Sequence, residues 1–262
     1  MSLISKNRFA LATAGALAAT MMSLAPAHAA DLMKFADFSQ DPNNGNSINV
    51  RWVNAGTGGK LFTIANPTDT LLGSAKVIFN FDLPSLSGLS HLTADYNLNV
   101  VVDSGNAAQN VGASLDQPGL HGTFSFTYTG PTTVLNGHAI SNGANLLTAT
   151  FFDEGDITGK KNGTAGSIFA STDSGSTITY SSDFIDFTGS TVRDLAYTLN
   201  AVKPGFGFTA GQALNGFTAA ETGEFAYTAV PEPATWTISI MGFGLLGATL
   251  RRRRPQAAAA TA

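Results

Sequence analysis

The sequence predicts an all-β body, an antiparallel β-sandwich of jelly-roll-like form, set between an N-terminal signal helix and a single C-terminal transmembrane helix. Three observations carry this. Short segments with period-2 alternation recur every ten to fifteen residues. The stretches between them are rich in the Gly, Asn, Asp and Ser that close tight turns. No helical stripe is long enough to support βαβ units. Strands with one apolar face are satisfied by two packed antiparallel sheets. A closed barrel of similar strands is the second arrangement that fits the pattern.

In chain order the expected strands are Lys34–Ser39, Ile48–Asn54, Lys60–Ala65, Lys76–Phe81 and Asp95–Val102, then Thr123–Thr129, Leu146–Phe152, Ser176–Tyr180, Phe184–Phe187, Leu195–Leu199 and Gly223–Thr228. Thr123–Thr129 shows the cleanest alternation, with Phe124, Phe126 and Tyr128 separated by Ser and Thr. Turns are expected at Asn54–Gly59, Asp103–Asn106, Gly130–Asn136, Asn142–Asn145 and Gly155–Gly166. Ser85–Leu92 and Phe217–Glu221 are the two places where a helical turn fits. Gly122-Thr-Phe-Ser-Phe-Thr and Gly223-Glu-Phe-Ala-Tyr-Thr read as two independent instances of a glycine followed by an amphipathic strand. No repeat of 20–50 residues marks a solenoid or propeller.

Of the 262 residues, 44% are apolar and 12% charged, enough for a core and unlike a disordered chain. The absence of cysteine excludes disulfide scaffolds, thiolate metal sites and cysteine nucleophiles. Residues 30–229, the expected secreted body, hold 17 Asp+Glu and 8 Lys+Arg, a formal net charge of −9. Such a balance argues for solubility and against nucleic-acid binding.

The first 29 residues read as a Sec-type signal peptide. Lys6 and Arg8 form its positive start, Phe9 to Leu24 its apolar stretch, and Ala27-His28-Ala29 its small-x-small site, with cleavage after Ala29. The Sec translocon and signal peptidase are the partners this implies. Near the other end, 17 uncharged residues run from Ala234 to Leu250 and are followed by Arg251, Arg252, Arg253 and Arg254. As a helix this span reaches about 25 Å against a hydrocarbon core of about 30 Å, the short limit for crossing. Trp236 falls at the expected interface. Each arginine costs roughly 2.5–3.5 kcal/mol at mid-membrane, so the cluster stops transfer and stays cytoplasmic.

Val230, Pro231, Glu232 and Pro233, then Trp236, Gly242-Phe243-Gly244 and the arginine cluster resemble the PEP-CTERM sorting signal, in its PEPxxWA-CTERM form, across residues 230 to 255. Thr237 stands where that form has Ala. The resemblance implies an exosortase substrate in a Gram-negative bacterium that makes exopolysaccharide. It places recognition and cutting at or near Pro231-Glu232-Pro233. The implied path is an inner-membrane-anchored precursor, then release to the cell surface or matrix. Residues 256–262 are expected to be a disordered tail. Two prolines fix φ and remove backbone donors, which holds such a segment extended.

Within the body, candidate chemistry is sparse, and a non-enzymatic surface or matrix protein is expected, with no cofactor. A carbohydrate-binding module is the alternative. Asp153, Glu154 and Asp156 place three acids in a loop, a candidate Ca²⁺ site without EF-hand spacing. Asp183 and Asp186 flank an aromatic stretch and read as solvated acids. Asp103-Ser104-Gly105 and Asp173-Ser174-Gly175 resemble the aspartic-protease turn, but sit too close in sequence for a two-lobed enzyme and read as ordinary turns. His91, His121 and His138 fall in no metal or triad spacing. Trp52 reads as core filler rather than a sugar-stacking platform. Thr127/Thr129, Thr148/Thr150 and Thr177/Thr179 resemble pieces of an ice-binding surface, but their uneven placement predicts no flat array.

Overall fold

The computed structural model describes residues 32–44 and 47–228. Both expected terminal helices, the signal peptide and the sorting segment lie outside the described residues. Among the described residues no helix is long and apolar enough to cross a membrane.

What is described is all-β and antiparallel. The strands are β1 (Leu32–Gln40), β2 (Val50–Asn54), β3 (Gly59–Thr63), β4 (Ala75–Phe81), β5 (Leu92–Val102), β6 (Gln109–Val111) and β7 (Ser114–Tyr128). They continue with β8 (Thr133–Leu135), β9 (His138–Ile140), β10 (Asn145–Lys160), β11 (Gly166–Ser171), β12 (Thr177–Ser181), β13 (Arg193–Lys203) and β14 (Phe217–Thr228). The ladder runs β1–β4–β5–β7–β10–β11–β13–β14 and returns from β14 to β1. It therefore closes on itself through eight strands, leaving no edge along that circuit. The β2–β3 hairpin makes a second bridge from β14 to β5. β6 extends β7 and β12 extends β10. The body is thus sandwich-like in its two facing layers and barrel-like in its closure.

Aromatic side chains fill the interior because alternation turns one face of every strand inward. Phe38 on β1 meets Phe126 on β7 at 4.8 Å between ring centres, and Phe225 on β14 meets Phe124 on β7 at 5.2 Å. Neither pair lies on neighbouring strands, so these are contacts between layers. Tyr96 and Phe126, opposite each other in the β5–β7 register, stack at 4.7 Å. Aromatic pairs of this kind add about 0.5–1.5 kcal/mol beyond area burial. The similar segments 122–127 and 223–228 face each other through Phe124 and Phe225. An added Cβ at Gly122 would strike the Asn99 carbonyl oxygen, and one at Gly223 would strike the Tyr197 ring. Each glycine marks a close approach that its following strand needs.

Several expectations change. Phe217–Glu221 is not a helical turn but the first part of β14, whose partners β13 and β2 supply its hydrogen bonds. Phe184–Phe187 is not a strand; the segment crosses as a loop, with Phe187 buried against Phe35 and Tyr180. The expected turn at Gly155–Gly166 begins later, because β10 continues to Lys160 and pairs with both β7 and β11. Ser85–Leu92 contains a single 3-10 turn at Pro84–Leu86. The turn region Gly130–Asn136 includes a small hairpin, β8–β9, closed by Asn136 (φ 48°) and Gly137 (φ 90°). Asn-Gly with two positive φ angles suits a type I′ turn.

Candidate functional site

The chain enters the sheet at Leu32 and leaves it at Thr228, and these two residues are partners in the β1–β14 ladder. The first and last strands of the described residues therefore lie side by side, the start of β1 against the end of β14. Thr228 is locked in place: it is 3% exposed, its N–H donates to the Val192 carbonyl at 3.0 Å, and its Oγ1 accepts from the Val192 and Thr191 N–H groups. Alternation puts Phe225 inward and Glu224 outward, whereas Thr228, on the parity of Glu224, is buried by its contacts with Thr191 and Val192.

Immediately beyond that lock, residues 229–254 match the family model described as the PEP-CTERM protein-sorting motif. The chain carries a PEP-CTERM sorting motif. No curated protein and no solved structure matches it significantly. The motif implies an exosortase as processing partner and an exported, membrane-anchored precursor. Val230, Pro231, Glu232, Pro233, Trp236 and Arg251–Arg254 fall within the matched range, and they, like Ala27 and Ala29, lie outside the described residues. From Thr228 to Pro231 is three residues, at most about 10 Å of extended chain. Whatever engages the PEP-CTERM motif works close against the folded body.

The other sequence candidates separate in space. Asp153, Glu154 and Asp156 are not in a loop: they occupy the middle of β10, where the register against β7 shifts between Phe151 and Ile157. This is a bulge at a corner, where β10 exchanges its partner β12 for β11. The side chains of Asp153 and Glu154 lie outside the described residues. Asp103-Ser104-Gly105 and Asp173-Ser174-Gly175 form separate turns with Gly105 at φ 107° and Gly175 at φ 106°. Asp183 accepts the Asn145 N–H, and Asp186 accepts the Thr188 N–H; hydrogen bonds from the Thr188 side chain and then its N–H hold the Asp186 carboxyl below the ordinary value. His91 sits at a left-handed turn position and His138 in the β8–β9 hairpin. His121 on β7 stacks on Phe152 at 6.3 Å, with Asp103 at 3.8 Å. Trp52 is core filler: it is buried, stacks on Phe217 and donates Nε1–H to the Leu214 carbonyl at 2.8 Å.

Among the described residues, one surface hollow of about 370 Å³ lies beside Tyr180, Asp186 and Arg193, and another of about 470 Å³ beside Arg51, Lys203 and Phe217. Neither brings two carboxylates together, the arrangement that glycoside hydrolysis ordinarily requires. In the second, Arg51 is held by the Pro67 carbonyl at 2.9 Å.

One group escaped the sequence reading. Glu221 is fully buried, and Tyr96 donates its hydroxyl proton to Oε2 at 2.7 Å. Oε1 has no hydrogen-bond partner. Burial pushes the Glu221 carboxyl up to about 8, opposed by the Tyr96 hydrogen bond, so the group is largely a neutral acid at pH 7. The Tyr96 and Tyr197 phenols are raised by burial and by the Glu221 charge. Asn49 clamps the same residue, donating to the Glu221 carbonyl at 3.0 Å and accepting its N–H at 2.7 Å. Extending the period-2 pattern upstream of Gly223 would have found it, since Phe217, Ala219, Glu221 and Phe225 share one parity. The cluster is enclosed in the core and serves the fold.

Proposed function

We propose that this is a non-enzymatic surface or matrix protein, exported through the Sec translocon, trimmed by signal peptidase after Ala29, held by its C-terminal span and then cut by an exosortase near Pro231-Glu232-Pro233. The released all-β body associates with exopolysaccharide outside the cell. The observation that carries this reading is the placement of the sorting motif directly after the last residue of a closed fold. Among the described residues, the buried hydrophobic core runs from Phe35 to Phe225. Removing the segments before Leu32 and after Thr228 leaves the closed circuit whole, as a released product requires.

Deletion of Pro231–Pro233 tests it. The wild type is expected to yield an extracellular product whose intact mass lacks both the first 29 residues and the arginine cluster. The deletion variant is expected to accumulate in the inner membrane. Identical fractionation of the two forms refutes exosortase sorting.

A further inference from the structure

The threonines whose spacing in the sequence looks irregular are brought into register by the fold. On the outer face of the β5–β7–β10–β12 layer, Thr179 lies opposite Thr150, Thr150 opposite Thr123, and Thr123 opposite Asn99. The neighbouring row runs Ser181, Thr148, Ser125, Asn97. Strands are about 4.8 Å apart and alternate residues about 6.8 Å, so the two rows form a lattice about 14 Å across. Thr148 bonds to Asn145, but the side chains of the other seven make no hydrogen bond within the described residues. At one end of the lattice Phe152, opposite Thr177, is 50% exposed and backed by the His121 ring. At the other end lie the Lys76–Asp95 pair at 2.5 Å and Asp183, which accepts the Asn145 N–H, while Lys60 on β3 flanks Asn99.

We infer that this face binds a neutral polysaccharide chain, an inference that rests on the proposed association with exopolysaccharide and assigns it a site. Hydroxyls and carboxamides both give and accept hydrogen bonds, as sugar hydroxyls do, and here all but Thr148 are left without side-chain hydrogen bonds to the described residues. The exposed Phe152 ring supplies the flat apolar patch on which the C–H face of a pyranose rests, while His121 restrains its orientation. Charge selects the class of polymer. The two rows themselves carry no charge, in a body of net charge −9, so an anionic chain meets a repulsive overall field, opposed only from the margins by Lys60, over the Phe62 ring opposite Asn99, and by Lys76, which is paired with Asp95. An ordered-water or ice surface fits less well, because neighbouring strands twist by about 20–25° and rows across four strands do not stay planar. A flexible glycan follows that twist.

The test is affinity electrophoresis of residues 30–229, which contain the whole closed circuit, in gels holding dextran, hydroxyethyl cellulose or alginate. Retardation is expected in at least one neutral polymer and not in alginate. Phe152→Ala and Thr150→Lys, both at outward positions, are expected to weaken it by about tenfold or more, with thermal melting unchanged. Size-exclusion chromatography is run alongside. No retardation in either neutral polymer, equal retardation in alginate, or retardation indifferent to both substitutions overturns the site. So does a dimer that both substitutions dissolve in the absence of glycan binding. Any of these leaves the exosortase reading standing, since the mass of the secreted product reports on that separately.

Discussion

Replacing Glu221 by Gln removes a proton equilibrium from the core while keeping shape and the acceptor for the Tyr96 hydroxyl. The carboxyl ionises near its ordinary 4.5 in the unfolded chain and at about 8 in the fold. The folded state therefore holds the proton more tightly, and the stability this gives is complete below about pH 4.5 and lost as pH rises through 8. Each tenfold difference in ionisation constant is worth about 1.4 kcal/mol, so roughly 5 kcal/mol should disappear across that window. Urea unfolding of the secreted body at pH 5, 7 and 9 measures it. The wild type is expected to weaken steadily from pH 5 to 9, and Glu221→Gln to stay nearly level. The two should lie within about 1 kcal/mol at pH 5 and diverge by roughly 3–5 kcal/mol in favour of the variant at pH 9. Parallel pH profiles would mean that the acid is not buried as described, and the reasoning fails.

Asn49→Ala should cost about 2–4 kcal/mol, because it strands the buried N–H and carbonyl of Glu221 together. Asn49→Asp should not rescue it, since a carboxylate cannot donate to that carbonyl; unfolding midpoints of the three forms decide. Gly223→Ala should destabilise by about 1–3 kcal/mol in the same assay, although glycine-to-alanine in a strand is ordinarily favourable, because the new methyl meets Tyr197 and Phe38. A neutral or stabilising result would show that these rings yield freely.

The strands that alternate cleanly, such as Thr123–Thr129 and Lys76–Phe81, were legible because each side chain's polarity follows from which face it occupies. β11 and the second half of β10 were not, as Gly155, Gly159 and Gly166 look like turn residues. In the fold Gly159 and Gly166 pair with each other, where added methyls would meet Phe206. Phe184 and Phe187 were misread for the opposite reason. The short apolar run Phe184-Ile185-Asp186-Phe187 looks like a strand by composition, but loop residues can bury aromatic rings without a ladder. Of the candidate residues, Trp52 was read correctly from its alternation, whereas the acids of β10 were given to a loop because a bulge has no local signature.

The sorting motif is written in contiguous residues, with Pro-Glu-Pro, an uncharged apolar run and arginines all inside 229–254. Enzymes and bilayers recognise these as linear stretches, so sequence alone was enough to determine the sorting motif and the β class of the body. Closure of the ladder, the pairing of Leu32 with Thr228, the burial of Glu221 and the alignment of Thr150, Thr179 and Thr123 were decided only by tertiary structure. Each depends on which strands become neighbours and in what register, and that is settled by packing between residues far apart in the chain.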